Sequence, residues 1–127
     1  MEVEFDDSGW PIVVARWVGS NLDADISPVL ARIDGWLARG ERFGLLIDAR
    51  GAKGLSPEQR TLVLDHMKAN AALTAERLVQ ATVFDTLVQR TLFYGVNLLF
   101  PSPFPSKVFG DVASAHAWIR ATLAAPR

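Results

Sequence analysis

Three aspartates follow runs that read as strands: Asp48 after Phe43 to Ile47, Asp85 after Leu78 to Phe84, and Asp111 after Lys107 to Phe109. In an open α/β sheet the carboxyl ends of parallel strands form one edge, and ligands bind outside it. Carboxylates converging there would offer the oxygen ligands that magnesium prefers, the basis of a magnesium-dependent enzyme. The competing assignment is structural. Asp85 and Asp111 stand where helices begin, and aspartate is a preferred N-cap. The cap assignment is the stronger one, so no metal and no cofactor are expected.

The segment after Asp48 is richer. Arg50 and Lys53 bring two cations, Gly51 and Gly54 permit unusual backbone angles, and the chain then enters a helix N-terminus, a combination that attracts anions. It is not a nucleotide-binding P-loop, because Lys53 precedes Gly54 and no Ser or Thr follows it. Ser56-Pro57-Glu58-Gln59 combines an N-cap, a proline at the first helical position and a capping-box glutamine. Ser56 is first of all a cap. Phosphorylated, it would set a dianion at the positive end of a helix dipole near Arg50, Lys53 and Arg60. Asp48, Arg50, Lys53, Ser56 and Arg60 are therefore the candidate binding or switch residues. No catalytic residue stands beside them. His66 and His116 fall on different helices, Asp65 points about 100° away from His66, and no Gly-x-Ser-x-Gly, His-x-x-x-His or Gly-x-Gly-x-x-Gly is present. The chain reads as a binding protein and not an enzyme.

A second candidate surface is apolar. Leu87, Val88, Leu92, Phe93, Tyr94, Val96, Leu98, Leu99 and Phe100 make one helix apolar on more than one face. Such a helix is either deeply buried or covers a partner or an apolar ligand, and both readings stay open. Pro101, Pro103 and Pro105 end it, and Phe104 could extend the patch. Leu92, Phe93, Val96, Phe100 and Phe104 are the candidate interface or apolar-ligand residues, and a homodimer through this helix fits the pattern. Of the four tryptophans, Trp10 and Trp17 on the hairpin are the ones expected to be exposed.

The elements that position these residues follow from periodicity. Val3 and Phe5 alternate with acidic residues, Asp7-Ser8-Gly9 is turn chemistry, and Ile12 to Val18 is β-branched, which predicts an antiparallel hairpin. Ser27-Pro28 opens a helix that Arg39-Gly40 closes. Strand–helix pairs then follow three times: Phe43 to Ile47 with a helix to about Ala72, Leu78 to Phe84 with a helix capped by Asp85, and Lys107 to Phe109 with a helix capped by Asp111. This order predicts a mixed, mostly parallel sheet with an N-terminal antiparallel hairpin and about four helices, in one domain over residues 1–127.

Composition closes off several classes. Thirteen basic and fourteen acidic residues leave a net charge of −1, so no general field draws nucleic acid. With no cysteine, disulfides and thiolate chemistry are absent. No apolar run reaches the roughly 18 residues of a membrane span. The acidic, alternating N-terminus is the opposite of a signal peptide, so the cytoplasm is the expected compartment.

The element order, together with Phe43-Gly44-Leu45-Leu46-Ile47-Asp48-Ala49-Arg50 leading into Ser56-Pro57-Glu58-Gln59, resembles the STAS family, which includes the bacterial anti-sigma-factor antagonists. The SpoIIAA-like branch is often grouped with the lipid-binding CRAL-TRIO domains. The resemblance implies a small sheet with helices on one side, a non-enzymatic regulatory role and a protein partner, or an apolar ligand or lipid in the alternative. It also implies a switch serine at the start of the helix after the central strand, a position close to Ser56. The family's Asp-Ser-Ser-Gly is absent here, where Leu55-Ser56-Pro57 stands instead.

Overall fold

The structure is a computed structural model that describes residues 2–18, 25–52, 56–99 and 101–125. Lys53 and Phe100, both singled out above, lie outside the described residues. Strands β1 (Glu2–Asp6), β2 (Ile12–Val18), β3 (Phe43–Asp48), β4 (Leu78–Val83) and β5 (Ser106–Phe109) form one sheet in the order β1-β2-β3-β4-β5. β1 and β2 are antiparallel, with Phe5 opposite Ala15, and β2 through β5 are parallel. The helices are α1 (Ser27–Leu37), α2 (Pro57–Ala69), α3 (Ala71–Arg77), α4 (Leu87–Leu99) and α5 (Val112–Ala124). The mixed α/β architecture is the expected one. The fifth helix arises because the segment expected to continue to about Ala72 breaks at Asn70, which ends α2 and precedes α3.

Helices cover both faces of the sheet, where the family resemblance implied one. Successive strands lie side by side, so right-handed crossovers put every connecting helix on the same face. On that face Val13, Ala15, Phe43, Leu45 and Leu78 pack with Trp36 and Leu37 of α1, Phe104, Met67 of α2 and Leu73 of α3. α5 follows the last strand and is free of that constraint. It covers the other face, where Ala115 and Ile119 meet Leu46, Val79, Ala81 and Val83. β3 and β4 are thus apolar on both sides because both sides are dry. At Gly44 an added Cβ would run into Ile119 Cγ2 of α5, so only glycine admits the helix there.

Local stops and starts differ in detail from those expected. Ile26, not Ser27, is the N-cap of α1, and Ser27 is its first residue, its N–H donating to Asp25 Oδ1 at 2.9 Å. Gly40 adopts φ +78, the left-handed conformation that ends the turn after α1. Trp10 and Trp17 are half-buried, not open. Trp10 stacks on Phe43 at 5.3 Å with Arg39 over its ring at 4.3 Å. The hairpin turn is also tied to α1, since Asp7 accepts from Trp36 Nε1 at 3.3 Å and pairs with Arg39 at 3.1 Å.

Candidate functional site

The carboxyl edge of the sheet gathers the ends of β2, β3, β4 and β5. Asp48 closes β3 with its side chain 7% exposed, opposite Arg16 of β2 and Val83 of β4. Arg50 folds back over it. Its Nε donates to Oδ1 and its Nη2 to Oδ2, both at 2.8 Å, while the Arg50 backbone N–H reaches Oδ1 at 3.3 Å. This two-point fit is the strong geometry for an arginine–carboxylate pair. Hydrogen bonds from Arg50 hold the Asp48 carboxyl below its ordinary range against the opposing effect of burial. Arg50 is held firmly protonated, chiefly by its bonds to Asp48, with Asp85 adding a weaker attraction. Its side chain remains 48% exposed, so the pair is anchored inside and presented outside.

The loop beyond is fixed at several points. Ala49 N–H donates to Val83 O at 2.9 Å, Ala52 N–H to Ala49 O at 3.0 Å, and Gln89 Nε2 to Ala52 O at 3.4 Å. At the start of α2 the expected capping box is complete. Ser56 Oγ accepts from Gln59 N–H at 3.2 Å, and Gln59 Oε1 accepts from Ser56 N–H at 2.8 Å. Arg60 follows one turn in and is exposed. Asp48 and Arg50 thus stand at the carboxyl edge, and Ser56 and Arg60 belong to the first turn of the helix that follows it.

The three aspartates do not make a metal centre among the described residues, where no group of three or more His, Asp or Glu side chains is gathered. Asp48 is committed to Arg50. Asp111 caps α5 as expected, accepting from Ser114 N–H at 2.7 Å, and that bond lowers its carboxyl below the ordinary range. Asp85 is exposed and is not the cap of α4. Thr86 takes that role, its Oγ1 accepting from Gln89 N–H at 3.1 Å. Sequence reasoning also missed the partner of His66: its Nε2 lies 2.7 Å from Asp34 Oδ1, tying α2 to α1. A separation of 32 residues leaves no local signal for that pair.

α4 is turned opposite to the usual amphipathic helix. Gln89, Arg90, Phe93 and Asn97 occupy its inner side: Arg90 Nη1 donates to Phe84 O at 2.9 Å, and the Phe93 ring lies 5.5 Å from that of Phe84. Leu87, Val88, Leu92, Tyr94, Val96, Leu98 and Leu99 face out, each between 55% and 76% exposed. Leu92 and Val96 thus belong to an open surface. Phe93 does not, because it packs inward, and Phe104 does not extend the patch, being 7% exposed within the core.

No protein-family model matches the sequence, and no curated protein does either. Solved structures do. The chain is similar to a protein of the DUF3478 family with a SpoIIAA-like fold from Shewanella loihica PV-4, at 20% identity and TM-score 0.66, covering 93% of this chain and 92% of that one. It is also similar to an anti-sigma factor antagonist from Mycobacterium paratuberculosis, at 15% identity and TM-score 0.55, covering 94% and 93%. No helix among the described residues is long and apolar enough to cross a membrane. Five strands in this order, the leading hairpin and the helix after the Asp48 strand give this chain a SpoIIAA-like α/β fold.

Proposed function

We propose that the protein is a non-catalytic regulatory module that binds a protein partner through its carboxyl edge, centred on Asp48, Arg50, Ser56 and Arg60. The observation that carries this reading is the Asp48–Arg50 pair, buried on the acid side and half exposed on the base side. A guanidinium held in one orientation loses little freedom on meeting an acceptor, so it suits specific recognition. Asp48 is saturated by Arg50 and poorly placed to act as a base, while the capping box holds Ser56 as a structural residue. The likeness to an anti-sigma factor antagonist supports the same class of role. Lys53 is assigned to this surface from sequence. The cytoplasm is the compartment proposed for such a module, and residues 1–127 are read as a single folding unit.

The test is quantitative affinity capture from the host, comparing unaltered bait with an Arg50→Ala/Arg60→Ala double variant. Support requires a protein that is lost selectively with the variant and that binds the unaltered chain when both are purified. If every captured protein binds both baits equally, the carboxyl edge is not the recognition surface.

A second reading, an apolar-ligand or lipid-binding domain, is favoured by an open groove of about 380 Å³ between α4 and β5. Tyr94, Leu98 and Val108 line it beside Arg90 and Lys107, a pairing of apolar and cationic groups that suits a fatty acyl carboxylate. Native mass spectrometry showing only bare polypeptide, with no thermal shift on adding fatty acids, would remove it.

A further inference from the structure

Seven of the ten large hydrophobic side chains recorded as exposed among the described residues belong to α4. Together they open on the order of 700 Å² of mostly apolar surface, close to the roughly 800 Å² that one partner gives a standard interface. A monomer rarely shows so large a contiguous patch. We infer that α4 packs against α4 of a second copy of this chain, around a two-fold axis that passes beside Gly95.

Three features select a second copy as the occupant. The area is that of a full interface and larger than a crevice for a small ligand requires. The face carries no charge, because Arg90 is the one ionisable residue of α4 other than Tyr94 and its guanidinium turns inward to Phe84 O. A two-fold brings each residue near the axis against itself, so a charged face would repel its own image, whereas this one does not. The uncharged face also lacks the lysines and arginines that would hold an amphipathic helix on an anionic membrane. Finally, at about 100° per residue Gly95 lies at the middle of the outward arc, with Val88, Leu99 and Leu92 on one side of it and Leu98 on the other. Glycine is a poor helix former, and nothing lies within 4 Å of where its Cβ would be, so packing inside the chain gives no reason for it. On a two-fold axis the reason is direct: the residue that meets its own copy must be small for the helices to close.

This inference does not rest on the carboxyl-edge reading, and its test does not touch Arg50 or Arg60. Sedimentation of the full chain is expected to show a reversible dimer at about 100 µM, a concentration that populates any dimer of micromolar affinity. Leu92→Glu and Gly95→Leu are each expected to weaken it at least tenfold while circular dichroism stays unchanged, since Leu92 is 65% exposed and the space beside Gly95 is open in the monomer. Gly95→Cys introduces a lone thiol into a cysteine-free chain and is expected to cross-link to its own copy on oxidation, whereas Asp65→Cys does not. A monomer at that concentration overturns the inference, as does a dimer indifferent to both substitutions. Association of the monomer with lipid vesicles, lost in Leu92→Glu, would overturn it in favour of a membrane surface.

Discussion

α4 and α5 are both thirteen residues long, and both contact the edge strand β5, yet they show the protein opposite sides. α5 buries Ala115 and Ile119 against β3 and β4 and leaves its polar side to solvent. α4 has no buried residue, turns Gln89, Arg90 and Asn97 inward, and leaves its leucines outside. The difference teaches that an apolar stripe marks a surface to be covered without saying by what. α5 finds its cover within the chain, and the orientation of α4 points to one outside it.

Substitutions can break or sharpen that contrast. Ile119→Ala removes the side chain that α5 lays over Gly44 and is expected to cost about 2–5 kcal/mol in urea unfolding, the range for a large core truncation. Gly44→Ala attacks the same contact from the strand and is expected to cost about 1–3 kcal/mol by overpacking, because Ile119 is β-branched and cannot swing clear. Circular dichroism melts should show both.

Arg50→Ala leaves the Asp48 carboxylate buried without its partner. Because Arg50 is half exposed and water can replace part of it, the expected loss at neutral pH is smaller than that of either core substitution. The sign with pH follows from the lowered Asp48 pKa. Its contribution is complete above the ordinary aspartate range and is lost as pH falls through the still lower folded value. Without the Arg50 side chain the largest part of that lowering is lost, so the acid-unfolding midpoint should move to higher pH. An unmoved midpoint would mean that the pair does not hold the edge.

The smallest effect is expected on α4. In chain dilute enough to be monomeric, Leu98→Ala should change stability by less than about 0.5 kcal/mol, as for an ordinary surface site. A core-sized loss would show that α4 is covered from within.

Much of this was legible in the sequence because it depends on near neighbours. The β1–β2 hairpin follows from alternation and a turn, and the Ser56 capping box from a four-residue pattern. The Asp111 cap is equally local. The Asp48–Arg50 pair spans two residues, so the candidate edge could be named, although the two-point geometry could not. The expected cap at Asp85 failed because Thr86, one residue on, competes for the same role.

What the sequence determined by itself was the set of elements apart from the separate α3, their order and a mostly parallel sheet, since periodicity, caps and turns act over a few residues. Tertiary structure decided that α5 closes the second face, that His66 meets Asp34, that Phe104 is core and that α4 faces outward. Each of these depends on contacts between residues far apart in the chain, and no local pattern encodes which of two surfaces a helix will meet.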